Sequence, residues 1–301
     1  TGVQTCALPI LDYFLALSNI IKELRFLGYY EPINVWKEYC RKIEEQEKHR
    51  IGPAQSLNFE KFLGFSLSDI RMLYSNKGFA LVLYHYGAHR HVAQLFIEEM
   101  HKLKADKDIL LIVDSESYST EKNLKLWGDF YEEMRVKMVI AERPEVGLQM
   151  AKHVKNGGVI IVYLDGLTGV GDDLHPILLP FISSTIEVRS GLFRFLNKFN
   201  IPAIGAIESN DAEITVSRPI LSKDINFTAS SLMSFFRVHL INNPAKWRLW
   251  YRHHKFIKDT PNILGEDNYK ANAIWSCNEV KPTLILEEEK GDIYEYMDEN
   301  K

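Results

Sequence analysis

Between positions 79 and 220 the chain repeats one pattern, a short and nearly unbroken apolar run followed by a longer stretch with apolar residues at helical spacing. The runs are FALVLYH (79–85), DILLIVDSE (108–116), VKMVIAE (136–142), GVIIVYLDG (158–166), PAIGAIES (202–209) and EITVSRPI (213–220). The stretches 89–104, 120–134, 144–155 and 189–199 read as helices between them. Val/Ile/Leu runs without polar alternation belong to strands buried on both faces. The predicted fold is therefore α/β, a central, largely parallel mixed sheet covered by helices on both faces.

Ahead of this core, apolar residues at helical spacing over 11–49 predict two helices with a break at Glu31-Pro32, and the segment RKIEEQEKHR reads as a solvated helix end. FSLSDIRMLYSNKG (65–78) predicts a short helix closed by Gly78. At the other end, TLILEEEKGDIYEYMDENK alternates as a β-hairpin turning at EKGD, with acidic residues guarding its edge. The expected layout is an adapter-like segment (1–10), a helical region (11–76), the α/β core (77–260) and a C-terminal extension (261–301). TGVQTCALPI (1–10) resembles the conceptual translation of a sequencing adapter, and the original N-terminus is expected to be missing.

Composition narrows the classes of function. The 301 residues are 46% hydrophobic and 25% charged, enough for one large core, and the net charge of −4 without a polybasic tract argues against a nucleic-acid partner. Cys6, Cys40 and Cys277 are far apart and form no CxxC pair, which fits a reducing, cytoplasmic setting and suggests neither disulfides nor a zinc site. The longest apolar stretch, ILDYFLALSNII, is too short and too polar to span a membrane, so membrane contact is expected to be peripheral.

Ligands of open α/β sheets collect beyond the carboxyl ends of the strands. His85, Asp114 with Glu116, Asp165 and Glu208 end four of the runs, although polar residues end most strands simply because loops meet water. His85 draws attention because YHYGAHRH (84–91) adds His89, Arg90, His91 and Gly87 to it. Three imidazoles invite a metal, but no HExxH spacing is present, and a strand running to His85 keeps it off a helical face shared with His89. A loop of hydrogen-bonded histidines is the plain alternative. The third reading makes His85 a general base, with Gly87 allowing close backbone approach and the helix starting near Ala88 aiming amide N–H groups at developing negative charge. The glycine-rich DGLTGVGDD (165–173) lacks a phosphate-loop spacing and reads as a loop beside this site.

The order of these segments resembles the lysophospholipid acyltransferase superfamily and, within it, the lipid A biosynthesis (lauroyl/myristoyl) acyltransferases. GFALVLYHYG matches the strand and histidine motif through His85 and Gly87. GGVIIVYLDG matches a strand ending in aspartate, here Asp165, and ILLPF matches a Pro-Phe segment at Pro180 and Phe181. RSGLFRFLNKFNIPAIGAI matches the Ser-Gly helix and the following strand, and NPAKWRLWYRHHKF a Pro-x-x-Trp-x-x-Trp stretch with basic residues. The likeness spans about residues 70–258. It implies acyl transfer from an acyl-carrier-protein or coenzyme A thioester to a hydroxyl or amine of a lipid or small molecule, with no cofactor and no metal. His85 becomes the general base, and Gly87, His89, Arg90, Asp114, Glu116 and Arg189 become substrate-binding candidates.

The chain departs from the family at one position. Counting H-x4-D/E from His85 reaches Arg90, whereas the family's acid orients the imidazole and stabilises its charged form. Asp114, Glu116 or Asp165 must then supply the carboxylate from across the fold, and Asp165 is the preferred substitute, its plain alternative being an Asp-Gly turn residue. Arg90 could instead hold a phosphate or carboxylate of the substrate. In 243–258, Asn243 and Pro244 predict a helix start, and Trp247, Trp250 and Tyr251 among cations suit either core packing or contact with an anionic membrane or acidic carrier protein. The rival functions are a non-catalytic acyl-chain or protein-binding member of the same fold, favoured by Arg90, and a histidine-cluster metal hydrolase.

Overall fold

A computed structural model describes residues 9–28, 30–51, 61–63, 77–103, 105, 107–122, 132–166, 169–171, 175–209, 213–259, 274–277, 284–287 and 291–295. Its first elements are helices α1 (Ile10–Leu24) and α2 (Pro32–Ile51), strands β1 (Lys61–Leu63) and β2 (Phe79–Leu83), helix α3 (His89–Lys102), strand β3 (Ile109–Val113) and helix α4 (Ser115–Lys122). There follow β4 (Val136–Ile140), α5 (Val146–Lys155), β5 (Val159–Tyr163), β6 (Ile177–Pro180), β7 (Thr185–Val188) and α6 (Gly191–Phe199). The chain continues through β8 (Ala203–Glu208), β9 (Glu213–Val216), α7 (Ile225–Asn242), two 3-10 segments (Pro244–Lys246 and Arg248–Lys255), β10 (Ile257–Asp259), β11 (Ile274–Cys277), β12 (Leu284–Glu287) and β13 (Ile293–Glu295).

These elements form two compact units, one made of 52–179 with 188–239, the other of 1–51, 180–187 and 240–301. The grouping differs from the sequence-based boundaries, because 180–187 and 240–259 fold with the N-terminal helices.

The larger unit holds a sheet in the order β1-β9-β8-β2-β5-β3-β4, parallel throughout except where β9 runs antiparallel to β8. All five residues of β2 are buried, as an all-apolar central strand requires. Phe79, Leu81 and Leu83 of β2 join Ile109, Leu111, Val159 and Ile161 on the face that receives Val92, Phe96, Ile97 and Met100 of α3. The opposite face meets α7, where the Tyr84 ring stacks on Phe236 at 4.5 Å and its hydroxyl donates to the Leu232 carbonyl at 2.7 Å. Helices thus flank both faces of a mostly parallel sheet, as the apolar runs predicted. The second run is shorter than expected, since β3 stops at Val113 and the Asp114 carboxylate caps α4 by accepting the Ser117 N–H at 2.6 Å. Of the helix expected over 120–134, α4 covers the start, and 123–131 lie outside the described residues, as do 65–76 of the expected helix before Gly78.

In the smaller unit α1 and α2 are separated near the expected break, with Pro32 opening α2 at the position where its missing N–H costs nothing. The predicted C-terminal hairpin is present as β12 and β13, paired Leu284 to Glu295 and Leu286 to Ile293, and β11 adds a third strand that periodicity did not disclose. Leu286 packs with Phe14, Leu17 and Ile21 of α1, and Lys22 pairs with Asp292 at 3.0 Å. The segment after Asn243 is 3-10 rather than α-helical, and Asn243 makes no side-chain cap.

Trp247 and Trp250 are interior, packed with Phe181 at 5.0 and 6.1 Å, so two motifs of the family likeness meet in one aromatic cluster. His254, Lys255 and Lys258 are the exposed residues of 243–258, and Lys258 pairs with Glu187 at 3.1 Å. Among the described residues no helix is long and apolar enough to cross a membrane.

Candidate active site

The register between β2 and β5 builds the site. Leu83 pairs with Tyr163, and the Leu164 N–H donates to the Leu83 carbonyl at 2.9 Å, so the two chains leave the sheet side by side. Two residues further on each chain stand His85 and Asp165. The Asp165 carboxylate accepts the His85 backbone N–H (2.9 Å to Oδ2) and faces imidazole Nδ1 (2.9 Å to Oδ1). A carboxylate acceptor at Nδ1 selects the tautomer with its proton there and leaves the Nε2 lone pair outward. Asp165 is buried, whereas the His85 side chain keeps 27% of its surface, so the ring is oriented from inside and reachable from outside. Asp165 thus brings a carboxylate to His85 from across the fold, and it also occupies the turn after β5.

Tyr163 lies under the imidazole, ring centroids 4.5 Å apart, and His89 sits 5.2 Å from His85 with its edge toward Tyr163. His89 is buried, and its Nδ1 lies 3.3 Å from the Gly87 carbonyl. Tyr163 was not singled out from the sequence, yet period-2 alternation from Asp165 puts it on the same face of β5. Gly87 has φ +55°, a left-handed conformation that favours glycine, and it turns the chain from β2 into α3.

On the other side of β2 stands Glu208, the last residue of β8. The β2–β8 register pairs Val82 with Gly205, which puts Glu208 level with His85. Glu208 is buried, and its Oε2 accepts the Ala88 N–H at the start of α3. Of the amides near the start of α3, which the sequence reading aimed at developing negative charge, that of Ala88 is held by this internal carboxylate. A helix N-terminus attracts the nearest anion, and in this fold the neighbouring strand provides it.

The remaining candidates scatter. Arg90 is the second residue of α3 and half-buried. β3 is separated from β2 by β5, so Asp114 and Glu116 start two strand spacings away, roughly 10 Å. Asp114 caps α4 and Glu116 is exposed in its first turn, and neither is brought to His85. Arg189 donates through its NH2 group to the carbonyls of Val170 (3.1 Å) and Gly171 (2.6 Å) and so fastens the glycine-rich loop. Residues 167, 168, 172 and 173 of that loop lie outside the described residues. Among the described residues no group of three or more His, Cys, Asp or Glu is arranged to hold a metal ion, and the three-histidine cluster is not so arranged either.

Comparison with protein-family models returns no matching family, and comparison with curated proteins returns no match.

Proposed function

We propose that this chain is an acyltransferase, moving a fatty acyl group from an acyl-carrier-protein or coenzyme A thioester to a hydroxyl or amine, with His85 as general base and Asp165 as its orienting partner. The observation that carries this reading is the 2.9 Å contact between His85 Nδ1 and Asp165 Oδ1 at the carboxyl ends of two adjacent parallel strands, with the imidazole partly exposed. Nε2 takes the acceptor's proton as its oxygen or nitrogen attacks the thioester carbonyl. The tetrahedral intermediate then expels the thiolate, which the imidazolium reprotonates, so the base is restored each turnover. Asp165 stabilises the imidazolium between the two transfers. The protein acts in the cytoplasm on this reading, and 243–258 offers an anionic membrane or an acidic carrier protein its exposed His254, Lys255 and Lys258.

The test supplies fatty acyl thioesters of coenzyme A and of acyl carrier protein with a panel of hydroxyl and amine acceptors, and reads thiol release. Acceptor-dependent release should vanish in His85→Ala and fall on the order of 10²- to 10⁴-fold in Asp165→Asn. Release unchanged in His85→Ala would remove the proposed base. A non-catalytic role is favoured by Arg90 in the family's acid position, and it predicts tight acyl binding by the wild-type protein without turnover.

A further inference from the structure

The turn that carries His85 is gripped from both neighbouring strands. Asp165, beyond the end of β5, holds the His85 backbone N–H and its ring; Glu208, at the end of β8, holds the Ala88 N–H three residues later. We infer that Glu208 is a positioning residue for the His85–Asp165 pair, an inference that rests on the proposed function for its catalytic consequence but not for its structural one.

Three observations carry it. The Glu208 carboxyl packs directly on the turn, because a Cβ placed on Gly87 would lie 2.9 Å from its Cδ and 3.2 Å from its Cβ. Glu208 is only 7% exposed, so its side chain has few other places to go. The residues between the two grips include Gly87, whose positive φ is adopted freely and is therefore held by its surroundings rather than by its own sterics. Releasing Ala88 frees the glycine turn, and with it the His89 ring that rests against His85. The two carboxylates divide the work: Asp165 selects the tautomer, and Glu208 fixes the backbone on which the ring is mounted. On this inference no acid from α3 itself is needed, and Arg90 can stand at the position where the family that the sequence resembles carries one.

The experiment labels the ten histidines with ¹⁵N in the full-length chain and reads the His85 tautomer by long-range ¹H–¹⁵N correlation, the signal being assigned by its loss in His85→Ala. Wild type and Glu208→Gln, which keeps an acceptor oxygen at the same reach, should both show the proton on Nδ1. Glu208→Ala, and Glu208→Asp with its carboxylate withdrawn by one methylene, should show a mixed tautomer. In the transfer assay the same two variants should lose roughly ten- to a hundredfold in kcat with KM little changed, and Glu208→Gln should restore it. A wild-type tautomer in folded Glu208→Ala or Glu208→Asp overturns the inference, as does a mixed tautomer in Glu208→Gln, which would put the effect in the charge. If the wild-type protein transfers no acyl group, the proposed function fails while the tautomer measurement still decides the role of Glu208.

Discussion

Glu23 of α1 is fully buried in the smaller unit, and its carboxylate is surrounded by donors. His253 Nε2 lies 2.5 Å from Oε1, the Ser184 hydroxyl donates to the same oxygen, and the N–H groups of Ser183 (2.8 Å) and Ser184 (3.3 Å) reach Oε2. Burial by itself pushes this carboxyl up, yet the hydrogen bonds and charge of His253 and the serine donors outweigh it, bringing the pKa from 4.5 down to about 2. A depressed carboxylate contributes stability above its unfolded value, near 4.5, and loses it as pH falls toward about 2. At about 1.4 kcal/mol for each tenfold change in proton affinity, the contribution at neutral pH is about 3 kcal/mol.

Glu23→Gln removes the charge and turns an amide toward the Ser183 N–H, setting donor against donor. It should destabilise the protein by about 3 kcal/mol at pH 7, in the range for losing one member of a buried polar pair. The gap to wild type should close as pH drops from 4.5 toward 2. Urea melts at stepped pH, followed by tryptophan fluorescence, measure it directly, since Trp247 and Trp250 lie 5.4 and 5.5 Å from His253. Parallel acid loss of stability in wild type and variant between pH 4.5 and 3 would refute the reasoning.

Two further outcomes follow from the larger unit. Gly87→Ala should destabilise by roughly 1–3 kcal/mol and abolish transfer, because alanine resists φ +55° and its Cβ would press on the Glu208 carboxyl; retention of wild-type melting and activity would deny that the turn is constrained. Burial pushes the His153 pKa below 6.5 despite its bonds to the carbonyls of Asp108 (2.9 Å) and Val159 (3.1 Å). The unfolded chain therefore takes the proton first, and stability declines as pH falls below 6.5. His153→Gln should flatten that decline in urea melts between pH 7.5 and 5.5, and an unchanged slope would contradict it.

The parts of this protein that follow from short-range pattern were legible before any coordinates. Burial on both faces of a strand demands continuous apolar residues, and the six runs appear as β2 to β5, β8 and β9, of which β2, β3, β5 and β8 are almost wholly buried while β4 and β9 are buried at alternate or single positions. The C-terminal hairpin follows from alternation and turn residues, with Gly291 at φ +73° where the sequence placed the bend. Less was legible where a role depends on what lies opposite. Asp114 and Asp165 both follow apolar strands, yet one caps its own following helix and the other reaches across to His85. Trp247 and Trp250 suited either core packing or a membrane or carrier-protein face, with core packing favoured, and their contacts with Phe181 and His253 place them in the core.

The sequence by itself determined the sheet, its flanking helices and the histidine at the rim, because periodicity records how far each residue is from water. Tertiary structure decided which carboxylates reach the turn that carries that histidine. Strand order makes β5 and β8 the neighbours of β2, and register then brings Asp165 and Glu208 level with one turn from opposite sides. Hydrogen bonds act over about 3 Å, so a contact between residues 80 positions apart depends on strand order and register, and one step of register would have removed it.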